Sequence, residues 1–141
     1  MEQLLKLELN LESPCFAKMT IPTNCDPETD VNEFYTENLW KRLRKLYRTK
    51  YDIDIAANFA RCNDKPGFIT VSFTLNNSFL EHNCPLVVRH EQDRKNMNHD
   101  EIHEAKWVKA AYQEKFKNLL PDIGAEFAIL ARKLPGCPHS Q

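Results

Sequence analysis

Residues 51–75 read YDIDIAANFARCNDKPGFITVSFTL, and the fold class turns on them. Within Tyr51 to Arg61, Ile53 and Ile55 alternate with Asp52 and Asp54, the period-two pattern of a strand with one buried face. Phe68 to Leu75 is rich in aromatic and β-branched residues and predicts a second strand. Between them lies Asn63-Asp64-Lys65-Pro66-Gly67. Proline sets φ near its turn value and glycine is free to take a positive φ, so the two strands are expected to form a hairpin.

Upstream, Asp30 and Glu33 stand at capping-box spacing, which satisfies free N–H groups at a helix start. A helix is expected from about Val31 to about Lys50. On its helical wheel Leu39, Trp40, Leu43, Leu46 and Tyr47 fall on one side, and Lys41, Arg44, Lys45 and Arg48 on the other. Further back, Leu5, Leu7, Leu9 and Leu11 alternate with Lys6, Glu8 and Asn10, predicting a first strand that Ser13-Pro14 interrupts. Cys15 to Ile21 is expected to resume as a second strand before a loop through Pro22, Asn24, Asp26 and Pro27.

Downstream, Leu86, Val87 and Val88 suggest one more short strand over Pro85 to His90. Asn98 and Glu101 form a second capping-box pair, opening a helix whose inward stripe is Ile102, Ala105, Val108, Tyr112, Phe116, Leu119 and Leu120. Pro121 is expected to end it. Gly124 to Leu134 fits a strand through Phe127, Ile129 and Ala131, or a helix through Ala125, Ala128, Ala131 and Leu134, with alanine content favouring the helix. As a strand, it would bring the order near a split-βαβ plait.

The expected fold class is therefore α+β: an antiparallel sheet of about four to five strands with two main helices packed on one face. The order is ββαβββα, with a further C-terminal helix or strand. Residues 1–134 are expected to form a single domain, and Pro135, Gly136 and Pro138 mark 135–141 as a flexible tail.

Composition agrees: 141 residues, 42% of them hydrophobic, suit one core, and 3 glycines exclude a fibrous or low-complexity chain. With 19 basic and 20 acidic side chains, partner preference must come from the distribution of charge rather than its total. Charges at Glu2, Lys6 and Glu8 interrupt the N-terminus before a signal peptide could form, and no membrane span follows, so a cytoplasmic or nuclear location is expected. Cys15, Cys25, Cys62, Cys84 and Cys137 contain no Cys-x-x-Cys pair, and reduced thiols are the expectation.

The string His99-Asp100-Glu101-Ile102-His103 places two imidazoles at i and i+4, near the zincin spacing, but Asp100 occupies the position of the catalytic glutamate. Capping and the helix dipole already explain Asp100 and Glu101, so an exposed acidic helix start is expected, with a metal-dependent hydrolase at His99 and His103 a remote alternative. Cys62, His82, Cys84, His90, His99 and His103 form a looser set without the paired spacings of structural zinc. Cys84 neighbours His82 and His90, yet nothing supplies a positioned base and oxyanion site, and no nucleophile elbow or phosphate-binding loop occurs. No metal, cofactor or catalytic residue is assigned.

Two surfaces remain. The basic side of the first helix, Lys41, Arg42, Arg44, Lys45, Arg48 and Lys50, could neutralise phosphates, which makes RNA or DNA binding through Lys41, Arg44, Lys45 and Arg48 the alternative function. Trp40 and Tyr47 point away from that side and are expected in the core. On the second helix, Trp107 lies among His103, Lys106 and Ala110, well off the apolar stripe. Either it anchors an interface or it packs beneath Gly124 to Leu134. The leading expectation is a non-catalytic interaction module that binds another protein or self-associates through Trp107, His103, Lys106 and Ala110.

Overall fold

The computed structural model describes residues 10–13, 16–76 and 84–134. Four strands, β1 (Asn10–Ser13), β2 (Phe16–Pro22), β3 (Ile55–Arg61) and β4 (Phe68–Leu75), form one antiparallel sheet in the order β1-β2-β4-β3. Since β4 lies antiparallel to both β2 and β3, those two run parallel with β4 between them, a split βαβ arrangement. The crossover is α1 (Val31–Tyr35), a π-helical turn (Thr36–Trp40) and α2 (Lys41–Tyr51). After β4 come α3 (Pro85–Gln92), a 3-10 turn (Arg94–Asn96) and α4 (His99–Arg132).

The expected α+β class with an antiparallel sheet is present, but the strand set and order differ from ββαβββα: the described elements run ββαββαα, with the crossover counted as one helix. Pro85 to His90 is helical. Proline at the first helical position loses no intrahelical bond and its φ suits the helix, which outweighs the β-branched pair Val87 and Val88. Of the first predicted strand, Leu5 to Leu9 lies outside the described residues, as does the 135–141 tail.

Alternation decides which sheet face is covered. Ala17, Met19 and Ile21 of β2, Ile69, Val71, Phe73 and Leu75 of β4, and Ile55 and Phe59 of β3 share one buried face through the strand register. Tyr35, Leu39, Trp40, Leu43 and Tyr47 descend on it from the crossover, and Phe116, Leu120, Ile123, Phe127 and Ala128 from the second half of α4. Each fully buried side chain of this size contributes about 1.5–3 kcal/mol.

In the crossover the buried positions Val31, Tyr35, Leu39, Leu43 and Tyr47 recur every fourth residue, a spacing that would spiral off the face of a regular α-helix. The wider π turn at Thr36–Trp40 lags the wheel and holds them over the sheet. Leu46, expected inward, is 49% exposed, because it falls one residue ahead of Tyr47 and past the edge of the stripe.

The β3–β4 hairpin closes as its sequence predicts, with Gly67 at φ 84 and Cys62 N–H donating to Phe68 O at 3.1 Å. The edge of β3 is capped from the crossover: Asn32 Oδ1 accepts from Phe59 N–H at 2.9 Å.

Pro121 does not end α4, which runs on through Gly124 to Arg132, so the uncertain C-terminal stretch is helical and continuous with its predecessor. Buried Leu120 and Ile123 flank the proline and hold the helix across it. Pro121 is itself exposed and leaves the Lys117 carbonyl without its usual donor. Pro121→Ala is therefore expected to stabilise the fold by about 1 kcal/mol, raising the melting temperature by roughly 3 °C. Thermal circular dichroism checks this, and an unchanged or lower midpoint would contradict it.

Candidate interaction site

At the start of α4, Asn98 Oδ1 accepts from Glu101 N–H at 2.8 Å and Glu101 Oε1 accepts from Asn98 N–H at 3.0 Å, a complete capping box. The second Glu101 oxygen takes Arg89 of α3 at 3.3 Å. These hydrogen bonds, with the Arg89 charge, hold the Glu101 carboxyl below its ordinary value. His99 and His103 are exposed on this turn, and among the described residues no group of three or more His, Cys, Asp or Glu side chains is placed to hold a metal. His82 lies outside the described residues.

The first half of α4 rests on α3 rather than on the sheet. Val87, Met97 and Ala105 are buried there, apart from the main core, and Lys109 Nζ bridges to Glu91 at 2.8 Å. Between the helices runs an open groove of about 360 Å³, with Lys106 and Ala110 on one wall and His90 and Arg94 on the other. Sequence reading missed the α3 wall because it took α3 for a strand.

Trp107 stands beside this groove, 68% exposed. The expectation that it packs beneath Gly124 to Leu134 fails, since that segment continues the same helix and cannot fold back over it. His103, Lys106 and Ala110 are exposed with it, so all four expected residues occupy adjacent stripes of one helix surface.

The basic side of α2 is less uniform than its sequence suggests. Arg44 turns inward from it to Asp54, with Nε donating to Oδ1 at 2.6 Å and Nη2 to Oδ2 at 2.9 Å, and Asn76 Nδ2 donates to Oδ2 at 3.0 Å. Asp54 is 3% exposed. Burial pushes its pKa up, but the Arg44 bonds, the Arg48 charge and the Asn76 amide outweigh burial and hold it below the ordinary value. Lys41 pairs with Glu37 at 3.0 Å, while Lys45, Arg48 and Lys50 are exposed. Trp40 and Tyr47 are in the core, Tyr47 donating its hydroxyl to Glu126 of α4. The Tyr47 phenol is pushed well above its ordinary pKa by burial and by that carboxylate.

The expectation of reduced thiols fails at Cys25, which is disulfide-bonded. Scattered spacing carries no information on which sulfurs the fold brings together. Cys62 and Cys84 are free. Burial raises the Cys84 thiol, with the Asp52 charge adding to it, which favours the unreactive protonated form. Among the described residues no helix is long and apolar enough to cross a membrane. No protein family, curated protein or solved structure compared with the chain matches it.

Proposed function

We propose that the chain is a non-catalytic interaction module whose binding face is the solvent side of α4 around Trp107. The observation that carries this reading is an indole 68% exposed in the first half of a 34-residue helix, beside the small side chains Ala110 and Ala111. Tryptophan is the side chain most enriched among interface hot spots, and small neighbours leave room for a partner's side chains to pack against the ring. A helical segment of another protein, or of a second copy, fits such a convex strip.

The basic side of α2 supports the lesser reading, nucleic-acid binding. Lys45 and Arg48 are exposed there, whereas Arg44 is committed to Asp54 and the Trp40 and Tyr47 rings lie in the core.

Placing a photo-reactive phenylalanine at Trp107, with the same residue at exposed Asn58 on the far face of the sheet as a control, tests the main reading in cells. A discrete adduct specific to position 107 is expected, and its mass separates a second copy from another protein. Absence of an adduct, or the same adducts from both positions, would refute the assignment.

A further inference from the structure

The exposed stripe of α4 has a pattern that names a partner. Asp100, His103, Trp107, Ala110, Glu114 and Lys117 are all exposed and follow one another at alternating steps of three and four residues. That is the spacing of a coiled-coil seam, drawn on the exposed surface of the helix, with Ala110 also forming part of the wall of the groove against α3. Its contents differ from an ordinary solvated face. The large exposed indole is followed one step later by alanine, an acid lies at one end of the series and a lysine at the other, and Pro121 sits at the next step beyond.

We infer that α4 pairs antiparallel with α4 of a second copy of this chain, about a two-fold axis passing between Trp107 and Ala110. The inference rests on the reading of the Trp107 strip as the binding face and supplies its occupant. In an antiparallel seam each layer joins a position of one series to a position of the other, so this axis generates the whole interface from one stripe. Trp107 meets the second copy's Ala110, large on small. His103 meets the second copy's Glu114, and Asp100 meets the second copy's Lys117, so both outer layers join a carboxylate to a basic side chain.

Orientation and register follow from the same residues. A parallel pair would stack Asp100 on Asp100, Glu114 on Glu114 and Trp107 on Trp107, placing like charges within the same layer. Sliding the antiparallel pair by one repeat puts Trp107 against Lys117 or His103 and leaves Asp100 or Glu114 facing alanine. Charged layers of this kind select the partner and the register more than they add affinity.

The seam from Asp100 to Lys117 is about 26 Å long, shorter than the interfaces of permanent dimers. Pairing is accordingly reversible, with a dissociation constant on the order of 10 µM.

Sedimentation equilibrium on the purified full chain, over concentrations from roughly one-tenth to ten times that constant, tests the inference. A monomer–dimer equilibrium is expected. Asp100→Lys should weaken it at least about tenfold by opposing the second copy's Lys117. Combining Asp100→Lys with Lys117→Asp should restore it to within about threefold of the original. Circular dichroism on each variant confirms that α4 still forms. A monomer at every concentration, or a double variant no tighter than Asp100→Lys alone, would overturn the pairing. If the purified chain stays monomeric while position 107 crosslinks to a different protein in cells, self-pairing fails and the binding face stands. If position 107 gives no adduct, the reading of the face fails with it.

Discussion

Phe127→Ala is expected to destabilise the fold by about 4 kcal/mol, among the largest losses any single core truncation here should produce. The ring is 0% exposed and stacks on Phe59 at 5.5 Å between centroids. It also meets Trp40 edge-on at 6.1 Å and Phe73 at 6.4 Å. Phe127 thus touches the crossover, two strands and its own helix at once. Alanine would remove the buried ring surface and leave a cavity that no single element can close, because rings from three directions share it. A domain of this size has about 5–15 kcal/mol in hand, so the variant should sit near the edge of folding at body temperature. Urea denaturation should show a lower midpoint with an unchanged slope, and Phe127→Leu should recover more than half of the loss. A loss below about 1 kcal/mol would mean that the core is not organised around this ring.

Phe127 also shows where sequence reading reached its limit. It lies in Gly124 to Leu134, where apolar residues satisfy a strand period and a helix period at once. Pro121 argued for a break just before it. The choice was made by packing: Leu120, Ile123 and Phe127 meet the sheet only if α4 continues, and that burial exceeds the cost of one missing backbone hydrogen bond. Pro85 misled for the opposite reason, since a proline before a β-branched pair reads as a strand start while its missing N–H suits a helix start equally well. Signals that rest on local chemistry fared better. The Asn98 and Glu101 pair, the Pro66-Gly67 turn and the alternation of Phe68 to Leu75 each specify their own backbone without help from distant residues.

At the surface, the exposure of Trp107 together with His103, Lys106 and Ala110 was legible because an aromatic off the apolar stripe is visible on a helical wheel. The wall contributed by α3 was not, since its helix was misread. Nor was Arg44, which looked like one cation among six and is instead the partner of a buried carboxylate ten residues later. That distinction limits how the basic side of α2 can be tested. Arg44→Glu would place two carboxylates together beneath the sheet's end, so a loss of nucleic-acid binding in that variant would report unfolding. Lys45 can be reversed without touching the groups that hold Asp54, whereas the Arg48 charge is one of them.

Asp54→Ala is the second large effect, with an expected loss of about 3 kcal/mol. The value lies at the low end for a broken buried pair because the Arg44 side chain is 41% exposed and water recovers part of its solvation. Asp54 does more than balance a charge. It accepts both arms of Arg44 from α2 and the Asn76 amide from the end of β4, and its own carbonyl accepts Asn76 N–H at 2.9 Å, so one residue ties helix and sheet together at the lead-in to β3. Asp54→Asn keeps the shape and forfeits the charge, and should cost about 2 kcal/mol. Acid titration separates this from simple packing. A carboxyl whose folded pKa is depressed binds its proton more readily when unfolded, so its contribution is complete above the ordinary carboxylate pKa and drains away as pH falls through the folded value. In urea melts the native chain should lose stability from about pH 5 downward, and Asp54→Asn should flatten that slope while lowering the plateau above it. Parallel curves for the two proteins would show that Asp54 is not the carboxylate responsible, and that the Arg44 pair contributes geometry without the charge.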